Sequence, residues 1–386
     1  MKILKLIFKN SLRHKLRTTL TILGIAIAVI AFGILRTVVT SWDVGVEAAS
    51  PNRLITRQAV SFIFPLPYAY KDRIASIPGV TQVTYANWFS GVYKDKNQFF
   101  ARMAADPETL LKVYDEILLT DEEKKNFIAE RNSCIVGIET AKTYNLKIGD
   151  IMTLEGDIYP GRWDFVIRGI YRPKFKTIDP TAMYFHWAYV DERMQEESPA
   201  RAGLVGWYIM KIDDPAKSAS ISAQIDNMFK NSAYETKTES ERAFTENFLS
   251  STSAIISAMD FMSFVIVGII MLVLGNTMIM SARERAREYA ILKTLGFSTW
   301  HLIGLIGGES MLIACLGGGV GLLLTFPLIV GFEQAIPKSV FPMFELETIT
   351  VILSIVAVLL IGLAAAIFPT QRAIRTKIVE GIRFIG

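Results

Sequence analysis

The carboxylate of Glu309 stands alone: from Leu302 to Phe332 no other residue carries a charge. An ionisable group at such a depth either serves a proton or ion path or is held by a partner. A lone acid without a relay of further titratable residues is better read as a structural group, satisfied by Ser310 or a neighbouring helix. A second chemistry-bearing segment precedes it, Ser281-Ala-Arg-Glu-Arg-Ala-Arg-Glu-Tyr-Ala-Ile-Leu-Lys-Thr-Leu-Gly-Phe-Ser298. On a helix, Glu284 sits one turn from Arg287 and Glu288. Ile291, Leu292 and Leu295 then make a compact apolar face, and Gly296 is a natural stop. Together with Arg283, these residues suit docking onto a soluble partner; the plainer alternative is a solvated loop between two helices. The three histidines, His14, His186 and His301, have no metal-ligand spacing. There is no Gly-x-Ser-x-Gly elbow, no His-Glu-x-x-His and no Gly-Lys dipeptide. The last absence excludes the phosphate-cradling Gly-x-x-x-x-Gly-Lys-Ser/Thr loop. No catalytic, cofactor-binding or metal-ligating residue is expected, and the chain is not expected to be an enzyme by itself.

The elements that must position these groups are membrane spans. Of 386 residues 51% are hydrophobic and 20% charged, and mean hydropathy is +0.34. This excludes disorder. Two cysteines, Cys134 and Cys315, exclude a disulfide scaffold, and a net charge of +4 is too small to argue for nucleic acid. A helix of ~20 apolar residues crosses ~30 Å of hydrocarbon. Four segments qualify: 18–39, 256–282, 302–332 and 348–371. The first has a basic front and an Ala26-Ile27-Ala28 run like a signal peptide, but its apolar core is too long and that run falls inside it. The third is long enough that it must tilt, protrude or kink, with Pro327 a candidate kink. Its Gly304/Gly308 and Gly317/Gly321 pairs have small-xxx-small spacing, which suits packing within one subunit or a dimer face.

Charge gives the orientation. The segments 1–17, 283–300 and 372–386 carry 14 basic and 3 acidic residues, whereas 40–255 carries 25 basic and 29 acidic. The positive-inside rule then places both termini and the 283–301 segment in the cytoplasm, and 40–255 and the short 333–347 loop outside. Residues 1–17 read as an amphipathic helix on the inner leaflet or as plain basic flank.

The 40–255 region reads as mixed α/β. Strands are expected at Arg53–Val60, Thr81–Trp88, Cys134–Ile138, Asp150–Leu154, Asp164–Tyr171, Met183–Val190 and Gly206–Ile212. Helices are expected at Tyr68–Ile77, Asp121–Glu130, Glu139–Tyr144 and Ala216–Phe229, with breaks into two subdomains near Arg102–Glu108 and Arg201–Gly206. From Glu241 onward, Phe244, Phe248, Leu249 and Ile255 recur at helical spacing. They suggest a stalk helix that continues into the second span.

Asn276–Gly296, continued through Leu302 to Glu309-Ser310, resembles the signature of the FtsX-type permease domain. The end (Pro369–Arg375, Ile378–Arg383) and the front (Leu12–Ala28) fit the same pattern. Ile77-Pro-Gly-Val80, Val136–Ala141 with Leu146–Asp150, and Phe165–Ile170 resemble a MacB-type periplasmic domain. The resemblance implies a dimeric permease subunit, homo- or heterodimeric, of an ABC system in the bacterial inner membrane. It implies four α-helical spans with the α/β domain between the first and second. A cytoplasmic ATPase, holding ATP and magnesium, would drive it through the 283–301 coupling segment. The macrolide-exporter prototype carries that ATPase ahead of its first span, so a separate ATPase subunit is expected here. A periplasmic adaptor and an outer-membrane channel are further expected partners. The implied activity is export or extraction of a drug, peptide, lipoprotein or lipid; the alternative is a non-transporting regulator that signals to an envelope partner.

Overall fold

The computed structural model describes residues 7–8, 13–47, 49–95, 99–250, 253–336, 338–339, 341 and 343–375. The tail from 376 onward and most of the expected N-terminal amphipathic helix lie outside these residues.

The first long helix, α1 (Lys15–Glu47), is followed by an α/β domain. Its first half contains β1 (Arg53–Gln58), β2 (Leu66–Pro67), α2 (Tyr70–Ala75), β3 (Val80–Trp88), β4 (Arg102–Ala105), α3 (Pro107–Val113), β5 (Ile117–Leu118), α4 (Asp121–Ala129) and β6 (Ser133–Gly137). There follow α5 (Ile138–Tyr144), β7 (Ile151–Gly156), β8 (Gly161–Pro173), β9 (Met183–His186), α6 (Trp187–Glu197), β10 (Leu204–Val205), β11 (Trp207–Ile212), α7 (Ser218–Met228), β12 (Thr236–Ser240) and α8 (Glu241–Ser250). Ten strands form one sheet in the order β12-β1-β11-β3-β4-β9-β6-β8-β5, with β7 also on β8. Period-two alternation sends Leu54 into the core on one face and Ile55 into the core on the other. Helices cover both faces: Ile74, Val190 and Ile225 on one, Leu110, Val113 and Phe244 on the other.

Two sequence expectations are corrected here. No break separates two subdomains, because β4 pairs with β3 on one side and β9 on the other. At the second expected break the Gly206 N–H donates to Ala86 O at 3.0 Å, which joins it to β3. The expected strand Met183–Val190 is extended only to His186; Trp187, Val190 and Met194 then recur at helical spacing and are buried as one face of α6. The 3.6-residue period overrides the strand propensity of Trp, Tyr and Val.

The start of α8 is fixed by buried charge. Arg53 on β1 donates to Glu241 at 2.8 Å and to Glu116 at 2.6 Å. Glu241, the first residue of α8, also accepts from Ser50 N at 2.8 Å.

The remaining elements are α9 (Ser253–Glu284), α10 (Ala286–Thr294), α11 (Thr299–Ala335) and α12 (Thr348–Arg375). Four helices, α1, α9, α11 and α12, are long and apolar enough to cross a membrane. The chain is therefore a multi-pass membrane protein with an α/β domain between its first and second spans. Ile25 of α1, Leu274 of α9, Ile306 and Ile313 of α11, and Ile361 of α12 meet in one buried cluster. Pro327 lies inside α11, which continues to Ala335. The stalk expected to run from Glu241 into the second span appears as α8 and α9; the residues joining them, 251–252, lie outside the described ones.

Candidate coupling site

The segment between the second and third spans is built around α10. The helix breaks at Arg285, so α9 and α10 are separate, with Glu284 at the end of α9 and Arg287 and Glu288 in α10. Glu284 accepts from Arg17 at 2.9 Å, with His14 3.4 Å away. Glu288 pairs with Arg13 at 2.5 Å. Both carboxylates therefore tie the segment to the residues that lead into α1. All these side chains are partly or largely exposed, so each pair contributes little to stability, and less still at high salt.

The inner side of α10 is held far more firmly. Arg285 Nη1 donates to Glu309 Oε2 at 2.8 Å, with both side chains at most 5% exposed. Glu309 therefore has a partner on the loop, while Ser310 donates to Gly362 O at 2.8 Å on α12. Lys293 Nζ donates to Ala373 O and Ile374 O, each at 2.9 Å, so the last carbonyls of α12 receive a cation where the helix dipole favours one. Tyr289 is buried in the membrane-unit core, and burial pushes its phenol up to about 12.

The outer side is open. Ile291 and Leu295 are 46% and 70% exposed, and Phe297 and Trp300 continue the apolar surface. Arg283 and Arg287 are exposed and form no ion pair among the described residues. Leu292 is half-buried against the membrane core. Gly296 has φ +87°; its N–H donates to Lys293 O at 3.1 Å, and Phe297 N–H donates to Leu292 O at 3.0 Å. This is a Schellman ending, which needs a residue tolerant of positive φ at this place.

The site residues expected from sequence thus divide. Ile291, Leu295 and Arg287 are exposed on α10 and its end, and Arg283 is exposed at the end of α9; Leu292 faces inward; Glu284 and Glu288 are engaged within the chain. Gly308, Gly317 and Gly321 face other parts of the same chain. A Cβ on Gly308 would lie 2.6 Å from Ile7, one on Gly317 2.7 Å from Ile25, and one on Gly321 2.7 Å from Ala26 O; Gly304 has no such neighbour within 4 Å. Arg285 was missed, although Ser281, Arg285 and Tyr289 recur every fourth residue and all are buried. Helical phase distinguishes Arg285 from Arg283 and Arg287; residue type does not. Among the described residues no group of His, Cys, Asp and Glu could hold a metal ion.

Comparison with known proteins places these features in context. The MacB-like periplasmic core domain matches residues 18–228, and the FtsX-like permease C-terminal matches residues 261–378. An uncharacterized ABC transporter permease of Methanocaldococcus jannaschii is 24% identical, with 97% of this chain and 96% of that protein covered. The macrolide export ATP-binding/permease protein MacB of Vibrio parahaemolyticus is 23% identical over 82% of this chain, which spans only 44% of that relative's length. Among solved structures, the periplasmic region of MacB from Actinobacillus actinomycetemcomitans aligns with TM-score 0.38 at 11% identity, over 53% of this chain and 95% of that one.

Proposed function

The chain belongs to the ABC transporter permeases with a MacB-like periplasmic core domain and an FtsX-like C-terminal domain, and we propose that it transmits the motion of a separate ATPase subunit to that domain. The observation that carries this reading is the two-sided build of α10. Its inner side is fixed to α11 by Arg285–Glu309 and to the end of α12 by Lys293. Its outer side presents Ile291 and Leu295, with Arg287 exposed on the same helix. A force applied to such a helix moves the spans that it grips, because a well-packed interior transmits displacement rather than absorbing it.

ATP and magnesium belong on the partner in this reading. The absence of a phosphate-cradling loop from the sequence supports this assignment, as does a relative of matching length named a permease. The basic excess of the 283–300 segment supports a cytoplasmic α10 in an inner membrane, with the α/β domain on the far side. The work done is export or extraction of a substrate handled by that domain.

The test is the Ile291→Asp/Leu295→Asp double variant in the complex reconstituted with its ATPase. Burying an unpaired carboxylate in the centre of an interface costs roughly 2 kcal/mol or more, at least about thirtyfold in affinity. Substrate-stimulated ATP hydrolysis is expected to disappear while membrane insertion of the chain is unchanged. Undiminished stimulation would exclude α10 as the coupling element.

A further inference from the structure

Two cavities, of about 410 and 450 Å³, lie next to each other in the α/β domain. They share three walls, Phe62, Trp88 and Trp207. Trp88 and Trp207 are fixed on β3 and β11. Phe62 comes from the loop between β1 and β2, is half-buried, and rests on Trp207 at 4.7 Å and on Phe244 of α8 at 5.3 Å between ring centroids. Phe62 therefore stands between the two cavities, which we treat as two lobes of one cleft. Each lobe is within the usual ~300–1,000 Å³ of small-molecule sites, and the walls are mostly apolar and aromatic, as such sites are.

The polar wall groups narrow the ligand class. Asn87 is committed to Tyr159, Leu204 O and Gly206 N. Glu241 is committed to Arg53 and Ser50, and Thr245 donates to Glu241 O. Arg201, at the rim of the first lobe, donates once, to Ile158 O at 2.7 Å, and has no carboxylate partner among the described residues. A guanidinium carries five donors, so most of its capacity is not taken up by the described residues. An apolar interior with a donor-rich cationic rim complements a hydrocarbon chain that ends in an anion.

We propose that this cleft binds the acyl chain of an anionic amphiphile, with its head group on Arg201 and its chain passing beneath Phe62 between Trp88 and Trp207. The site stands independently of how α10 is driven. A chain that lifts Phe62 off Phe244 acts directly on α8, whose last residue lies three positions before the first of α9.

The test uses the full chain in its membrane and two photoreactive probes, diazirine palmitate and diazirine phosphatidylglycerol, with diazirine palmitate methyl ester as the neutral control. Cross-linked peptides are mapped by mass spectrometry. Labelling is expected on the peptides containing Phe62, Trp207 or Phe244, from whichever anionic probe matches the natural source, free acid or phospholipid. Arg201→Glu should lower it about tenfold, the worth of one charge-assisted hydrogen bond, while leaving the neutral ester unaffected. Thr245→Trp, which fills the second lobe from α8, should lower labelling by all probes that reach the cleft. Labelling confined to the spans, or cleft labelling indifferent to both substitutions, would overturn the proposal.

Discussion

Replacing Arg285 with alanine destabilises the membrane unit by about 3–5 kcal/mol, because Glu309 is left as a buried acid without its cation. Glu309→Ala has an effect of the same size through the stranded guanidinium. Both side chains are at most 5% exposed and 2.8 Å apart, so neither can turn to water. Replacing both by apolar residues of similar volume, Arg285→Met with Glu309→Leu, removes the desolvation cost along with the attraction. That variant is expected to lie within about 1–2 kcal/mol of the parent. Thermal unfolding of the purified chain in one detergent compares the two alanine variants and the apolar pair with the parent. Equal stability of the three variants would show that the pair does not act as a unit. The same set separates stability from function, since the apolar pair restores packing without the directional grip of α10 on α11. A stable double variant with poor coupling to ATP hydrolysis is the outcome expected if that grip transmits force.

Gly321→Val is the second substitution with a large expected effect. Its Cβ would lie 2.7 Å from Ala26 O and 2.8 Å from Val29 Cβ, a separation that real Cβ contacts do not reach. Backbone cannot rotate away as a side chain can, so α1 has to move off α11. Overpacking of this kind typically costs 1–3 kcal/mol, and in a membrane the loss falls on close helix packing, which is the main attraction between spans. Gly304→Val is the matched control: the same change of residue on the same helix, with nothing within 4 Å of the added Cβ. Its unfolding midpoint should stay with the parent, while that of Gly321→Val drops by several degrees. Equal midpoints for the two would contradict the assignment of Gly321 to packing within the chain.

The four spans were legible because hydrocarbon thickness imposes a length and charge a limit, and both are visible in composition. The glycine pairs were legible as close-approach sites but not in their direction. Small-xxx-small spacing is the same whether the neighbour is α1 of this chain or a second copy, and only geometry assigns Gly317 and Gly321 to α1. In the α/β domain, strands with strong β-branched runs were placed within a few residues, as at Arg53–Gln58 and Trp207–Ile212. The short strand Arg102–Ala105 was missed, and with it the continuity of the sheet. A four-residue strand in mid-sheet owes its existence to two partners far away in sequence, a tertiary effect that local propensity does not record. At the coupling site the apolar outer face and the Gly296 ending were readable from spacing. The fate of the acids was not: on a continuous helix Glu284 sits one turn from Glu288, but the break at Arg285 leaves Glu284 on α9 with Arg17 and His14, while Glu288 of α10 pairs with Arg13.

In the proposed arrangement the open side of α10 meets an ATPase. A photoreactive amino acid placed at Leu295, which is 70% exposed on that side, tests it in native membranes, with mass spectrometry of whatever becomes attached. A cross-link to a protein carrying a Gly-x-x-x-x-Gly-Lys-Ser/Thr loop, lost when the label is moved to the inward-facing Tyr289, is the predicted result. Cross-links to lipid alone, or to proteins without a nucleotide-binding loop, would contradict it.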